Sequence, residues 1–320
     1  MAILGSGRFA YEVSGENWGN LPEGWFYKEA TSVDIDSKDN VYVFNRGNHP
    51  MIVFNTDGEV LRSWGEGQFT NPHGVTVAPD DTLWLVDNHE HSIGHYTPEG
   101  KLISILAEKN KQSPKFSGKP VNGPTRVAID PRNEEVLVAD GYGNARVHRY
   151  SPDGKKLLSS FGEPGTDPGQ FVIVHDIAVD KDGWIFIGDR ENRRIQIFSP
   201  EGKFESQWIN LSRAAAVHVG KTDEQLVYVG EYLGDPGKNS YLEAPNTGPR
   251  ISVFDRDGNL LTRLGKETCG DEPGRFYAPH YIATDSQGNI YEAEVAHAEY
   301  GRYLDPPREL RSIQKLVLQK

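Results

Sequence analysis

Histidine recurs at one position of a repeated pattern in this 320-residue chain. Each copy of the pattern begins with an apolar segment of strand length, and the residue at the entry to that segment varies from copy to copy. Through six copies this residue is Thr31, His73, Thr125, His175, Ala215 and His280. Histidine therefore occupies every second copy. Since the chain has 10 histidines in 320 residues, so regular a placement indicates a shared chemical role.

Three histidines in symmetric register are typical of a metal site. In a closed ring of six units, alternate units are related by roughly a threefold rotation, and the first strand of each unit lines the channel. The imidazoles of His73, His175 and His280 would then converge near the axis. Three imidazole ligands leave a coordination position open, as in catalytic zinc sites. Imidazole also suits iron, copper and nickel, so the pattern predicts Zn²⁺ or another divalent transition metal.

A second position carries an acidic or amide residue in every copy, at the end of the second apolar segment. These residues are Asn45, Asp87, Asp140, Asp189, Glu231 and Glu294. Their presence in all six copies indicates an architectural role, in which the side chain caps a turn by hydrogen bonds. Because the second strand runs antiparallel to the first, this position is expected on the same face as the histidines.

The residues just after this acidic position vary, and chemistry can reside there. Arg46 and Arg190 could each hold a carboxylate in bidentate fashion. Tyr142 could accept a proton if nearby positive charge favours its ionised form. We therefore expect Arg46, Tyr142 and Arg190 to act beside the histidines. Tyr232 and His297 lie in the long loops of the same rim, and we expect them to contact the substrate together with Arg190.

The repeat also predicts the fold. Four strands in each copy describe a blade, so we expect an all-β, six-bladed β-propeller forming a single domain over residues 1–320. The sixth copy lacks an obvious fourth strand, and we expect the N-terminal strand Phe9–Val13 to close that last blade. The predicted blades are about 30–68, 69–118, 119–168, 169–212, 213–270, and 271–320 together with 8–20.

Two long loops interrupt the fifth and sixth copies, at residues 232–250 and 295–310. Long loops within a compact repeat are usually functional or disordered. Taken alone, each is as well explained as a spacer. Both fall between the second and third strands of their copies, and this shared position favours a role in covering substrate.

Composition excludes several classes of protein. A formal net charge of −12 argues against a nucleic-acid partner or an anionic membrane surface. No apolar run reaches the roughly 18 residues that a membrane span needs. Residues 1–20 lack the basic start and apolar core of a signal peptide, and Cys269 is the single cysteine, so we expect a cytoplasmic protein without an internal disulfide. The sequence leaves the oligomeric state open.

The chain resembles the NHL-repeat propellers and, within them, the peptidyl-α-hydroxyglycine α-amidating lyases. The resemblance covers nearly the whole chain. It is sharpest at the segments Phe44–His49, Asn71–Gly74, Asp140–Arg146, Val174–His175, Asp189–Asn192 and Ala278–His280. Each segment taken alone also resembles NHL repeats in general. The three histidines, the arginines and the tyrosine in this order are specific to the resemblance with the lyases.

The resemblance implies a lyase. Zinc held by His73, His175 and His280 would bind a hydroxyl or carboxylate oxygen of the substrate. Tyr142 would take the hydroxyl proton, and Arg46 would stabilise the tyrosinate and the developing charge. The C–N bond of the carbinolamine would then break, giving an amide and an aldehyde acid such as glyoxylate.

Two features depart from the family pattern. Tyr281 stands where the family has an aspartate that binds a structural calcium, so the resemblance does not carry that Ca²⁺ over to this chain. The family enzymes of animals are secretory and carry disulfides, whereas here we expect neither a signal peptide nor paired cysteines, and no accompanying monooxygenase unit. We therefore expect either a peptide-terminal carboxylate substrate or a small molecule such as a ureido- or amido-hydroxy acid.

Two alternative functions stay open. A metal-dependent hydrolase or lactonase on a six-bladed propeller would favour oxygen ligands around calcium, whereas this pattern offers imidazoles. A non-catalytic NHL scaffold that binds protein would not require three histidines in register. Metal analysis separates the three classes, since zinc, calcium and no metal are expected in turn.

Overall fold

The computed structural model of the protein describes residues 2–14, 18–233, 246–266 and 268–320. Its strands form five four-stranded antiparallel sheets and one five-stranded sheet. The protein is thus an all-β, six-bladed β-propeller, and the predicted fold class is confirmed. Part of the long loop predicted at residues 232–250 lies outside the described residues, so its suggested covering role stays a prediction.

Five blades follow one plan, with four strands in chain order across the sheet. Blade one contains β3–β6, which are Ala30–Ile35, Val41–Asn45, Met51–Phe54 and Val60–Trp64. Blade two contains β7–β10, which are Pro72–Val77, Leu83–Asp87, Ser92–Tyr96 and Leu102–Ala107. Blade three contains β11–β14, which are Arg126–Ile129, Val136–Asp140, Arg146–Tyr150 and Leu157–Phe161, with helix α1 at Gly141–Asn144.

The remaining blades repeat this order. Blade four contains β15–β18, which are Val174–Val179, Ile185–Asp189, Arg194–Phe198 and Phe204–Trp208. Blade five contains β19–β22, which are Arg213–Val219, Val227–Tyr232, Arg250–Phe254 and Leu260–Leu264. Blade six takes β23–β25 from the C-terminal part of the chain, at Pro279–Thr284, Ile290–Glu294 and Ile313–Leu318, and helix α2 at Ala296–Glu299 follows β24.

The N-terminal strands complete blade six, as the sequence predicts. Strand β2 (Tyr11–Val13) pairs antiparallel with β25, and β1 (Ile3–Leu4) pairs with β2. The sheet order is therefore β1-β2-β25-β24-β23, with one strand more than expected. Pairing of β2 removes the open edge that β25 would otherwise present.

Residue contacts divide the chain into two compact units, residues 67–217 and residues 1–66 with 218–320. In the first unit, Val86 and Ile93 of blade two pack with Val127 and Val138 of blade three. In the second unit, buried residues of blade one pack with Ala283 and Tyr291 of blade six. The first and second strands of the blades are buried on both faces, which explains their nearly continuous apolar sequence. The single-domain assignment stays a prediction.

Deletion of residues 2–13 tests the closure of blade six. We expect a lower melting temperature and aggregation, because β25 loses its partner strand and the buried side chains of Tyr11 and Val13. Calorimetry and size-exclusion chromatography report both effects. Deletion of residues 2–7 alone, which spares β2, should cost less; equal melting temperatures for wild type and the longer deletion would contradict the assignment.

Candidate metal centre

Each candidate histidine sits at a β-bulge in the first strand of its blade. In blade two, Pro72 pairs with Asp87 and Gly74 with Val86, so His73 is the extra residue. The same shift surrounds His175 in β15 and His280 in β23. An extra residue re-aims a side chain, and bulges are frequent beside active sites. The sequence pattern gave the position of the histidines but not this distortion.

The acidic residue opposite each bulge holds the loop that delivers the histidine. Asp87 accepts the backbone N–H groups of Thr70 and Asn71, at 2.6 and 2.8 Å, just before His73. Asp189 accepts the N–H of Val172 at 2.8 Å, before His175. Glu294 accepts the N–H groups of Tyr277 and, at 2.8 Å, Ala278, before His280. The predicted capping role is thus confirmed for Asp87, Asp189 and Glu294.

The Nδ1 atom of every candidate histidine contacts a main-chain carbonyl at the equivalent position of another blade. The distances are 2.9 Å from His73 to Thr125 O, 2.7 Å from His175 to Ala215 O and 2.6 Å from His280 to Thr31 O. A carbonyl oxygen only accepts hydrogen bonds, so Nδ1 must carry the proton. In the neutral imidazole Nε2 then carries the lone pair, which is the state that a metal ligand needs.

Glycine permits this contact in blade two. A Cβ atom on Gly74 would lie 2.6 Å from Thr125 O, the same carbonyl that accepts the His73 hydrogen bond. The absence of a side chain therefore lets β7 approach the neighbouring strand closely enough for the imidazole to reach it.

The three imidazoles fit a metal ion. The side chains of His73, His175 and His280 are buried, and one ring nitrogen of each lies within 4.8 Å of the other two. Among the residues that the structure describes, this is the only group of three or more His, Cys, Asp or Glu side chains so placed. Three imidazoles whose Nε2 atoms are left to bind an ion match the donor set of a zinc or related transition-metal centre.

Tyr142 lies beside two of these histidines. Its hydroxyl oxygen is 3.0 Å from His73 Nε2 and 3.2 Å from His175 Nε2. The residue belongs to α1, and a Cβ atom on the preceding Gly141 would lie 1.9 Å from Val174 O. Only glycine allows α1 to rest on β15 at this point, so the Gly141-Tyr142 pair explains how the phenol reaches His175.

Arg190 also faces the phenol. Its Nη1 lies 3.5 Å from the Tyr142 hydroxyl oxygen, and its Cζ lies 5.7 Å from the centre of the ring. The guanidinium is held by Glu191, whose Oε1 accepts Arg190 Nε at 2.8 Å and Arg213 Nη2 at 2.7 Å. Burial would raise the pKa of Glu191, but the two arginines outweigh it and lower that pKa. Glu191 and Arg213 did not emerge from the repeat pattern, although Glu191 adjoins Arg190 in sequence.

The other predicted site residues have different surroundings. Arg46 pairs with Glu29, with Nη1 and Oε1 2.6 Å apart. Tyr232 is fully buried at the end of β20. His297 lies in α2, where its Nδ1 contacts Arg308 O at 3.2 Å, and it is not part of the three-histidine group. Their assigned roles stay predictions.

Comparison with known proteins supports the predicted resemblance. A model of the NHL repeat matches residues 69–96. Over 357 residues, the chain is 28% identical to a peptidylglycine alpha-amidating monooxygenase of Rattus norvegicus, covering 96% of the chain and 35% of that protein. Over 255 residues, it is 31% identical to a peptidyl-alpha-hydroxyglycine alpha-amidating lyase of Drosophila melanogaster, covering 74% and 45%. The resemblance is confirmed.

Other relatives widen this comparison. The chain is 28% identical over 304 residues to NHL repeat-containing protein 3 of Homo sapiens, covering 90% of the chain and 82% of that protein. The chain spans about a third of the length of the amidating monooxygenases that it matches. The chain thus matches an NHL repeat in blade two and is similar over most of its length to proteins that are named for peptide amidation.

Solved structures agree on the fold. A streptogramin B lyase superposes with a TM-score of 0.61 at 12% identity, covering 97% of the chain and 98% of that structure. A virginiamycin B lyase from Staphylococcus aureus gives 0.57 at 14%, covering 97% and 100%. At these identities the likeness shows the propeller alone. No helix in the described ranges is long and apolar enough to cross a membrane.

Two buried carboxyl groups lie on β24, the strand that pairs with the His280 strand, and they predict how stability depends on pH. Glu292 and Glu294 alternate along β24 and so face the same side. Burial raises the pKa of Glu294 to about 7, against the Tyr277 and Ala278 amides and Arg311, which lower it. Burial and the Glu294 charge raise the pKa of Glu292 well above its usual range. Neither Glu292 oxygen accepts a hydrogen bond within the described structure.

Stability should therefore fall as pH rises. A carboxyl group with a raised pKa in the folded state stabilises the fold fully below its unfolded pKa of about 4.3, and this contribution is lost as pH rises through the folded value. We expect Glu292→Gln to flatten the decline in melting temperature between about pH 5 and 8. Each kcal/mol recovered should raise the melting temperature by about 2–4 °C. Glu205→Gln, at an exposed strand position, is the matched control, and a profile unchanged by Glu292→Gln would contradict the prediction.

Proposed function

We propose that the protein is a metal-dependent carbon–nitrogen lyase acting on a carbinolamine. The supporting observation is the Tyr142 hydroxyl beside His73 Nε2 and His175 Nε2, because it combines a candidate proton acceptor with candidate metal ligands. Relatives named as amidating lyases and monooxygenases favour an enzyme of this kind. The substrate is a peptidyl-α-hydroxyglycine or a small amido- or ureido-hydroxy acid.

His73, His175 and His280 would hold the metal, with zinc as the first candidate. When bound, zinc supplies a Lewis acid that lowers the pKa of a hydroxyl group and fixes its geometry, without redox chemistry. The Nδ1 hydrogen bonds orient the three rings before any ion arrives.

Tyr142 would take the proton of the substrate hydroxyl. As that oxygen forms the aldehyde carbonyl, the C–N bond breaks and its electron pair stays on nitrogen. The nitrogen then receives a proton, so that one carbinolamine gives one amide and one aldehyde acid. Arg190, close to the Tyr142 hydroxyl, is suited to bind the substrate carboxylate, and Arg46 to stabilise developing negative charge. Tyr232 and His297 are proposed as further contacts to substrate.

Metal analysis of protein purified without a histidine tag is the first test. We expect about one zinc per chain, lost in His73→Ala because an imidazole ligand is removed. His89→Ala, an exposed histidine that follows β8 in the same blade, should keep wild-type metal content. Calcium in place of zinc would favour the hydrolase alternative, and metal-free wild-type protein would contradict the proposal.

Substitution of Tyr142 tests the chemical step. Tyr142→Phe keeps the ring but removes the proton acceptor, so kcat should fall by about 10²–10⁴-fold with metal content unchanged. Release of glyoxylate from α-hydroxyglycine peptides, α-hydroxyamides and ureido-hydroxy acids provides the assay. Tyr150→Phe alters another buried tyrosine of blade three and should leave turnover intact. Full activity in Tyr142→Phe would exclude the proposed proton transfer.

A further inference from the structure

A buried glutamate, Glu29, forms an ion pair with Arg46. Glu29 is 2% exposed, and its Oε1 is 2.6 Å from Arg46 Nη1. The two residues are also joined by a backbone hydrogen bond, in which Arg46 N–H donates to the Glu29 carbonyl at 3.1 Å. The same backbone bond joins Arg190 to Ile173 at 3.1 Å in blade four. Glu29 is therefore attached to the rim residue by both its side chain and its main chain.

The second oxygen of Glu29 contacts a different element. Glu29 Oε2 accepts the backbone N–H of Ala298 at 2.7 Å. Ala298 belongs to α2, which opens the long loop at residues 295–310 and also carries His297. One buried carboxylate thus joins the Arg46 guanidinium to this loop.

This arrangement constrains the orientation of Arg46. A guanidinium is planar and carries its N–H donors in a fixed fork, so a short contact at one Nη group restricts the plane of the whole group. The two Glu29 oxygens accept hydrogen bonds from different elements, so the carboxylate has little freedom to rotate. Movement of α2 would therefore reach Arg46 through Glu29.

We propose that Glu29 is a positioning residue, which orients Arg46 for substrate and couples this orientation to α2. The kinetic consequence rests on the proposed lyase function. The coupling between α2 and Arg46 is a property of the fold and can be measured without substrate.

The kinetic test is a double-mutant cycle. Glu29→Gln should lower kcat/KM by about 10–100-fold, the range typical of residues that orient a functional group from behind. Metal content and melting temperature should stay close to wild type. In an Arg46→Ala background, the same substitution should change kcat/KM by less than about twofold, because it acts through Arg46. Equal losses in both backgrounds would mean that Glu29 has only a structural role, and would overturn the proposal.

Hydrogen exchange provides the test that needs no activity. Glu29→Ala should speed amide exchange across residues 296–303, because the Ala298 N–H loses its acceptor. Ala298→Pro removes the same donor from the other side. Ala298→Gly keeps it and is the matched control. Ala298→Pro should lower kcat/KM as Glu29→Gln does, whereas Ala298→Gly should not.

The kinetic test and the hydrogen-exchange test distinguish a failure of the lyase proposal from a failure of the coupling proposal. If the wild-type protein turns over none of the assayed substrates, the lyase function fails and the exchange arm alone decides the coupling. If exchange across residues 296–303 in Glu29→Ala equals that of wild type, the coupling fails whatever the catalytic result.

Discussion

Each of the three histidines donates its Nδ1 proton to a main-chain carbonyl of another blade, at 2.6–2.9 Å. This hydrogen bond sets the tautomer, turns the ring and exposes the Nε2 lone pair in a single step. It needs two blades at a fixed separation, so the ligand geometry depends on the packing of apolar strands far more than on any local turn. A mutation that shifts two blades relative to each other would therefore disturb the histidines without touching them.

The acidic residue at the end of each second strand completes this control. In the three blades that carry a histidine, its side chain accepts hydrogen bonds from backbone N–H groups of the loop that precedes the first strand, as at Asp87 and Asp189. Those N–H groups would otherwise be buried without partners beside a β-bulge, where the strand ladder is interrupted. The repeat thus uses one carboxylate to stabilise the distortion that re-aims the histidine. In blade three, which carries Thr125, Asp140 likewise accepts the N–H of Asn122 before β11, whereas in blade one Asn45 accepts the N–H of Gly47.

Much of this arrangement could be predicted because the repeat places equivalent residues at equivalent points in space. His73, His175 and His280 were identified from register alone, and the closing strand Phe9–Val13 from a missing fourth strand. Contacts between residues of different repeats could not be predicted, because they leave no periodic signal in the sequence. Glu29 approaches Arg46 and Ala298 only after folding, since 269 residues separate Glu29 from Ala298. The contact of Gly141 with Val174 O likewise has no periodic signal, although it brings Tyr142 to His175.

The two arginines of the rim are held by different partners. Arg46 and Arg190 are both paired with a glutamate, yet the two glutamates differ in their second partner. Glu191 accepts hydrogen bonds from both Arg190 and Arg213. Glu29 instead accepts hydrogen bonds from Arg46 and from the backbone amide of Ala298 on α2. The orientation of Arg190 is therefore fixed through a second charged side chain, whereas that of Arg46 is fixed through the main chain of a loop.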